Sequence, residues 1–200
     1  NGSEPTTKSE KYIQPFTLDK AAVIKAGSFV SGKQVGKTSA RVFDASKALN
    51  RNVALAKEPH KSFSPGTNVL VNGLHGTTDH YDGQWLGYLG DDLEAVIDLE
   101  QVQLINKISS SYFQHIGYRV FLPTQVVYAV SEDGKNYKTV KVIDNSGQEE
   151  GILRKAVVAE IPATKARFVK ITARNIRVSP DKYPSAGQKT WLLVDELSVE

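Results

Sequence analysis

The clearest alternation of apolar and polar positions falls in LEAVIDL, where Leu93, Ala95, Ile97 and Leu99 share one face. A period of two over that length predicts a half-buried strand. The same period places Val126, Tyr128 and Val130 on one face of TQVVYAVS. QLINKISSSYF, KTVKVI, RKAVVAEI, ARFVKITAR and WLLVDELSV read as further strands, about eight in all from Asn52 onward. Turn signals separate them. Asp133-Gly134 in SEDGKNY reads as a hairpin turn, because glycine meets its positive φ cheaply. No segment carries a helical period of useful length, so the pattern predicts a β-sandwich with loops gathered at its two ends.

Ahead of this series, NGSEPTTKS is turn and linker chemistry. YIQPFTL and AAVIKAGSFV read as strands, and SGKQVGK as a hairpin turn. TSARVF reads as a third strand, with Ala40 and Val42 alternating against Arg41 and Phe43. Three short strands bury little. A boundary is therefore expected near Ser46–Asn50, dividing the chain into residues 1–47 and 48–200.

Composition narrows the chemistry. Apolar residues make up 40% and charged residues 24%, the balance of a globular chain with an ordinary core. The net charge of +3 is spread thinly, so no basic run resembles a nucleic-acid footprint. There is no cysteine, which removes disulfides, thiolate catalysis and sulfur-ligated zinc. No stretch reaches the length of a membrane span, and no signal peptide is present. Methionine is also absent, even at residue 1. The simplest reading is a C-terminal piece of a longer chain whose export signal, if any, lay upstream.

One window departs from the strand pattern. LVNGLHGTTDHYDGQWLGYLGDD, from Leu70 to Asp92, packs glycines, two histidines, aspartates and aromatics into a stretch without strand or helix period. Long loops of this kind are usually functional or disordered. Catalysis fits it least. His75 and His80 are five apart, unlike the zinc pair of HExxH, and no GxSxG is present. Asp79, Asp82, Asp91 and Asp92 could supply a carboxylate pair, but carboxylates in a glycine-rich loop are more often solvated or metal-bound. Calcium is better matched, because it takes six to eight oxygens from a flexible loop. Gly73, Gly76, Thr77, Thr78, Asp79 and Asp82 offer such a mixture.

Several phrases occur in a characteristic order: Val71-Asn72-Gly73, Asp82-Gly83-Gln84-Trp85, Val96-Ile97-Asp98-Leu99, Pro123 through Gly134, Ala166-Arg167-Phe168-Val169-Lys170-Ile171, and Asp195-Glu196-Leu197-Ser198-Val199. Over about residues 50–200 they resemble the discoidin-like domain, also called the coagulation factor five/eight type C domain. Its bacterial members are the family 32 carbohydrate-binding modules. Gly2-Ser3-Glu4-Pro5-Thr6, Tyr12 through Thr17 and Ile24-Lys25-Ala26 resemble the later strands of the small β domain that closes chitobiases and β-hexosaminidases.

The resemblance implies an all-β, discoidin-like β-sandwich of jelly-roll type, preceded by a short β segment. It further implies a non-catalytic glycan-binding module of an exported bacterial glycoside hydrolase, with the catalytic domain upstream. Terminal galactose or N-acetylhexosamine is the implied ligand, and nothing in the sequence calls for an obligate partner beyond a monomer. Carried over position by position, a structural calcium would use Asn72, Thr77, Asp82 and Glu196. The family usually has aspartate where this chain has Asn72. For the ion, the alternative is that Asp82 caps a turn and Glu196 faces water; for the function, it is a calcium-stabilised structural or protein-interaction spacer domain without a sugar site. For sugar, the chemistry needed is an aromatic platform beside polar side chains. His75, His80 and His115 fall in expected loops, with Tyr81 beside them and Tyr112, Phe113 and Tyr118 around His115. Tyr183 lies in the proline-rich VSPDKYPSAGQK. The candidates are thus His75, His80, Tyr81, His115, Tyr118 and Tyr183, on the loop end away from Asp133-Gly134. Trp85 and Trp191 sit among apolar strand residues and read as anchors.

Overall fold

Leu93, Ala95, Ile97 and Leu99 are all fully buried, as their spacing requires, and they open one of the two longest strands among the described residues. The computed structural model describes residues 3–16, 21–43, 46–145 and 151–200. Within these the order is β1 (Ala22–Val30), β2 (Lys33–Phe43), β3 (Asn52–Leu55), β4 (Leu86–Leu89), β5 (Leu93–His115), β6 (Gln125–Ser131), β7 (Lys138–Asp144), β8 (Ile152–Arg174) and β9 (Trp191–Val199). Short 3-10 turns lie at Lys61–Phe63, Thr67–Leu70 and Ile116–Tyr118.

The chain divides into two compact units, Asn1–Ala45 and Ser46–Glu200. The first holds β1 and β2, an antiparallel pair closed at Ser31 and Gly32, both at positive φ. The turn expected over residues 31–37 is therefore two residues long, and TSARVF is the end of β2 rather than a strand of its own. The strand expected at YIQPFTL is not formed over Tyr12–Phe16, where Tyr12, Ile13 and Phe16 are exposed; Thr17 and Leu18 lie outside the described residues.

The second unit is a jelly-roll β-sandwich built on two strands that serve both layers. The first part of β5, through Asp98, pairs with Phe168–Ala173 of β8, and the second part, from Gln103, pairs with Ile152–Ala166. Between them the ladder shifts register and Glu100 turns through φ 70°. A bulge with one residue in the left-handed region bends a strand sharply. One layer then runs β7-β6-β8-β5-β3 and the other β4-β9-β5-β8. Asp98 clamps the corner, accepting two hydrogen bonds of 2.9 Å from Arg167. That pairing holds its carboxyl below the usual carboxylate range. The expected strands LEAVIDL and QLINKISSSYF are one strand, as are RKAVVAEI and ARFVKITAR, while the short β3 and β4 were not expected. The connection after β6 spans several residues rather than a tight hairpin, and the Asp133 carboxylate holds it by accepting from Lys135 N and Asn136 N, both at 2.8 Å.

Between the layers, Val126, Tyr128, Val169 and Ile171 meet Ile108, Tyr112, Leu192, Val194 and Leu197. A second, smaller cluster lies on the outer face of the four-stranded layer: Phe63, Trp85, Phe113, Val120 and Leu193, with Trp191 packed against it. Phe113 and Leu193 are cross-strand partners there. This explains why β5 is buried on both faces from Ser110 to Gln114. Gly87 of β4 lets Phe63 approach, since a Cβ at that position would stand 2.7 Å from the Phe63 Cβ.

Candidate functional site

The outer cluster is the floor on which the loop from Val71 to Trp85 rests. The loop contains no helix and no named strand, so hydrogen bonds must hold its shape. Asp82 closes its tip: one carboxylate oxygen accepts from Thr77 N at 2.6 Å and Thr77 Oγ1 at 2.8 Å, and the other from Gln84 N at 3.0 Å. Asn72 accepts from Leu74 N at 2.8 Å and donates to Gln84 Oε1 at 3.0 Å. At its start, Gly73 N donates to Glu196 Oε2 at 3.1 Å and Gly76 N to Asp195 Oδ2 at 2.7 Å.

That two successive residues of β9 reach one loop has a specific cause. On a regular strand, neighbours point to opposite faces. Here Ser110 pairs with Leu197 and Tyr112 with Val194, so the single residue Ser111 stands opposite both Asp195 and Glu196. The extra residue is a β-bulge, which re-aims side chains. Asp195 Oδ1 also accepts from Glu196 N at 2.7 Å. Both carboxylates are buried, Asp195 at 0% and Glu196 at 1% exposure, so Glu196 does not face water. His75 Nδ1 lies 3.5 Å from Asp195 Oδ2.

Above the floor, rings from three elements line up. His80 and Tyr81 come from the loop, His115 ends β5, and Tyr118 sits on the 3-10 turn that follows. The His80 centroid lies 4.2 Å from Tyr81, 5.1 Å from Tyr118, 5.9 Å from Phe113 and 6.3 Å from His115. His115 and Tyr118 are 4.3 Å apart. Tyr81 stacks on Phe63 at 5.8 Å and 18°, and Phe63 meets Trp191 edge-on at 5.1 Å. His60 meets the same tryptophan at 4.9 Å. Tyr81 is 76% and Tyr118 59% exposed, so two rings stand in solvent on either side of a half-buried histidine. Partial burial of His80 lowers its pKa below the ordinary imidazole value; His115 adds to this, against the opposing pull of Asp79 and Asp82. Chemically this is a row of mutually tilted rings with imidazole nitrogens between tyrosines, suited to the C–H faces and hydroxyls of a neutral polar ring.

Four of the six expected ring residues therefore meet: His80, Tyr81, His115 and Tyr118. Tyr183 packs instead on the buried Phe121 at 5.5 Å, and His75 is turned inward toward Asp195. Tyr112 is fully buried between the layers and does not join His115. His60, Phe63, Trp191 and Asp195 belong to the neighbourhood without having been singled out as ligand-site residues. Phe63 left a trace in sequence, as the lone large apolar residue of AKEPHKSFSPGTN. The ring row ends β5 at His115, whereas the Asp133 turn follows Ser131, which pairs with Phe168 at the corner of β5. The row is thus at the far end from that turn.

Of the expected calcium residues, Asn72, Thr77 and Asp82 share one hydrogen-bonded loop, and Gly73, next to Asn72, ties that loop to Glu196. Among the described residues, no three of His, Cys, Asp and Glu gather where they could hold a metal.

Residues 1–43 match the family described as Fn3 associated. No curated protein matches the chain in sequence. Among solved structures, the chain is similar to a fucose-binding module of Streptococcus pneumoniae, at 15% identity and a TM-score of 0.51, covering 78% of this chain and 97% of that one. It is similar also to chitosan-binding module 1 derived from a chitosanase/glucanase of Paenibacillus sp. IK-5, at 14% identity and a TM-score of 0.50, covering 78% of this chain and 98% of that one. At such identity the likeness shows the fold. The fold is a discoidin-like jelly-roll β-sandwich, as in these two structures.

Proposed function

We propose that the chain is a non-catalytic carbohydrate-binding module and that the ring row is its glycan site. The observation that carries this reading is the pair of solvent-facing tyrosines, Tyr81 and Tyr118, set about His80 on a buried aromatic floor. A sugar stacked on one tyrosine would meet imidazole nitrogens at its edge. The neighbours' names, fucose-binding and chitosan-binding, agree with a sugar as ligand. The finer proposal is terminal galactose or N-acetylhexosamine, bound by a monomer. The parent would be an exported bacterial hydrolase, with the Fn3-associated segment as the tail of a chitobiase-like C-terminal domain. Among the described residues no helix is long and apolar enough to cross a membrane. An exposed single-ring site should bind with a Kd between about 10 μM and several mM. A glycan array followed by NMR titration tests the reading. Hits whose shifts fall on Tyr81, His80 and Tyr118 support it, and an array blank at all concentrations leaves a spacer domain.

A structural calcium between the loop and β9 is part of the proposal. The burial of Glu196 next to Asp195 favours it, because two adjacent buried carboxylates repel each other and a divalent cation would offset that repulsion. Glu196, with loop oxygens near Asn72 and Thr77, would hold the ion. Asp82 is already engaged with Thr77 and Gln84, so its part would be to keep the loop in shape.

A further inference from the structure

We propose that Asp195 is a positioning residue for the glycan site: from the β9 bulge it fixes the loop limb that presents His80 and Tyr81. The proposal rests on the carbohydrate reading for its binding arm. Its structural arm stands alone.

Ordering a fifteen-residue loop without regular structure costs conformational entropy at every residue. An aromatic platform works only if its rings are already held, since every ring immobilised on binding subtracts from affinity. The loop end nearest the tip is held by Asp82, but that tie is internal: Thr77, Asp82 and Gln84 all belong to the loop. It shapes the tip without fixing it to the sandwich. Two hydrogen bonds attach the loop to β9, Gly73 on Glu196 and Gly76 on Asp195, and the second lies closer to His80 in sequence. Gly76 is also wedged from the other side. A Cβ there would stand 2.4 Å from Cε2 of Trp85, so the backbone lies against the indole of a fully buried floor residue.

Asp195 therefore presses the loop onto Trp85 while accepting the N–H of Glu196 within the bulge. One carboxylate satisfies a strand defect and a loop at once. His75, one of the two residues between Gly73 and Gly76, is turned inward toward the same oxygen at 3.5 Å. Four residues after Gly76 the chain reaches His80 and then Tyr81, whose ring lies on Phe63. Among the described contacts Asp195 meets none of His80, Tyr81, His115 and Tyr118, so it acts on the row through the backbone of Gly76.

The test uses the full chain with Asp195→Ala and, in case that variant folds poorly, Gly76→Ala, which displaces the same limb from the Trp85 side. In the ligand-free protein, both should shift the His80 and Tyr81 ring signals and speed amide exchange over residues 73–84. Signals of β6 and β7 should stay in place. Toward the glycan identified on an array, Asp195→Ala should bind about tenfold more weakly. Combined with Tyr81→Ala, it should add little to the loss caused by Tyr81→Ala alone. Unchanged loop signals in both variants, or losses that multiply in the double variant, would overturn the proposal. If the wild-type chain binds no glycan, the carbohydrate reading fails, and the ligand-free shifts still decide the positioning role.

Discussion

Phe63 is the residue at which stability and recognition are expected to separate. It belongs to the outer cluster, lies under Tyr81 and against Trp191, and fills the space left by Gly87. Truncating a core phenylalanine to alanine costs about 3–5 kcal/mol. Among the described residues this cluster has five buried members, and it opens toward the loop, so it can partly collapse, and about 3 kcal/mol is the expected loss. For a domain of this size that lowers Tm by roughly 6–12 °C. Phe63→Leu keeps most of the volume and should cost less than about 1.5 kcal/mol. Both variants remove the stacked ring beneath Tyr81, a contact worth about 0.5–1.5 kcal/mol, so both should weaken glycan binding by roughly two- to tenfold. Urea unfolding followed through Trp85 and Trp191 fluorescence gives the first quantity, with an unchanged m value as control. Titration calorimetry gives the second. A loss below about 1 kcal/mol for Phe63→Ala would show that the outer cluster is not a packed core. Wild-type affinity in Phe63→Leu would show that Tyr81 needs no ring behind it.

Three further outcomes are expected. Asn175, buried, accepts from Arg177 N at 2.8 Å and Thr190 Oγ1 at 2.7 Å, and its amide donates to the carbonyls of Tyr88, Asp91 and Thr190. Asn175→Ala should cost about 2–4 kcal/mol in urea unfolding, and a loss under about 1 kcal/mol would mean water replaces the side chain. His80 should titrate below the ordinary imidazole value of about 6.5 in NMR, because burial disfavours its charged form. Since its folded pKa is depressed, its contribution to stability is complete above about pH 6.5 and declines as pH falls from there through the folded pKa. Glycan affinity should fall over the same window, and a His80 pKa above 6.5 would contradict this. Calcium should raise Tm and chelator reverse it, with a gain of about 3 kcal/mol at a hundredfold excess over Kd. Superimposable melts would count against the ion.

How far the sequence could be read depended on whether a residue's surroundings were local. Leu93 through Leu99 and Val126 through Val130 announce their faces because one side of each strand is buried and the period is two. The corner at Glu100 does not announce itself. A polar run between two apolar series looks the same whether the chain leaves the sheet or bends within it. β4 was hidden for the opposite reason: Leu86, Gly87 and Tyr88 are all buried, so no alternation marks them. In the site, His80, Tyr81, His115 and Tyr118 could be found as loop rings with nothing of their own to pack on. Tyr183 has the same local signature, yet Phe121, distant in sequence, covers it. The bulge was least legible. WLLVDELSV reads as a plain strand in which Asp195 and Glu196 would point apart, and only the bulge opposite Ser111 turns both toward one loop.

The shared strands also set an order of assembly. Along the β5–β8 ladder, the partners His115 and Ile152 are 37 residues apart in sequence, while Leu93 and Ala173 are 80 apart. Closing the shorter loop first is cheaper by about 0.7 kcal/mol on chain entropy alone. Zippering that starts beside His115 and runs toward the corner meets each longer closure with its neighbour already paired. The end of the sandwich that carries the rings would then belong to the folding nucleus, with φ-values for Phe113 and Val157 above those for Leu93 and Ala173. Mutational drift at the binding end would be felt twice, in affinity and in the rate at which the chain reaches its native state.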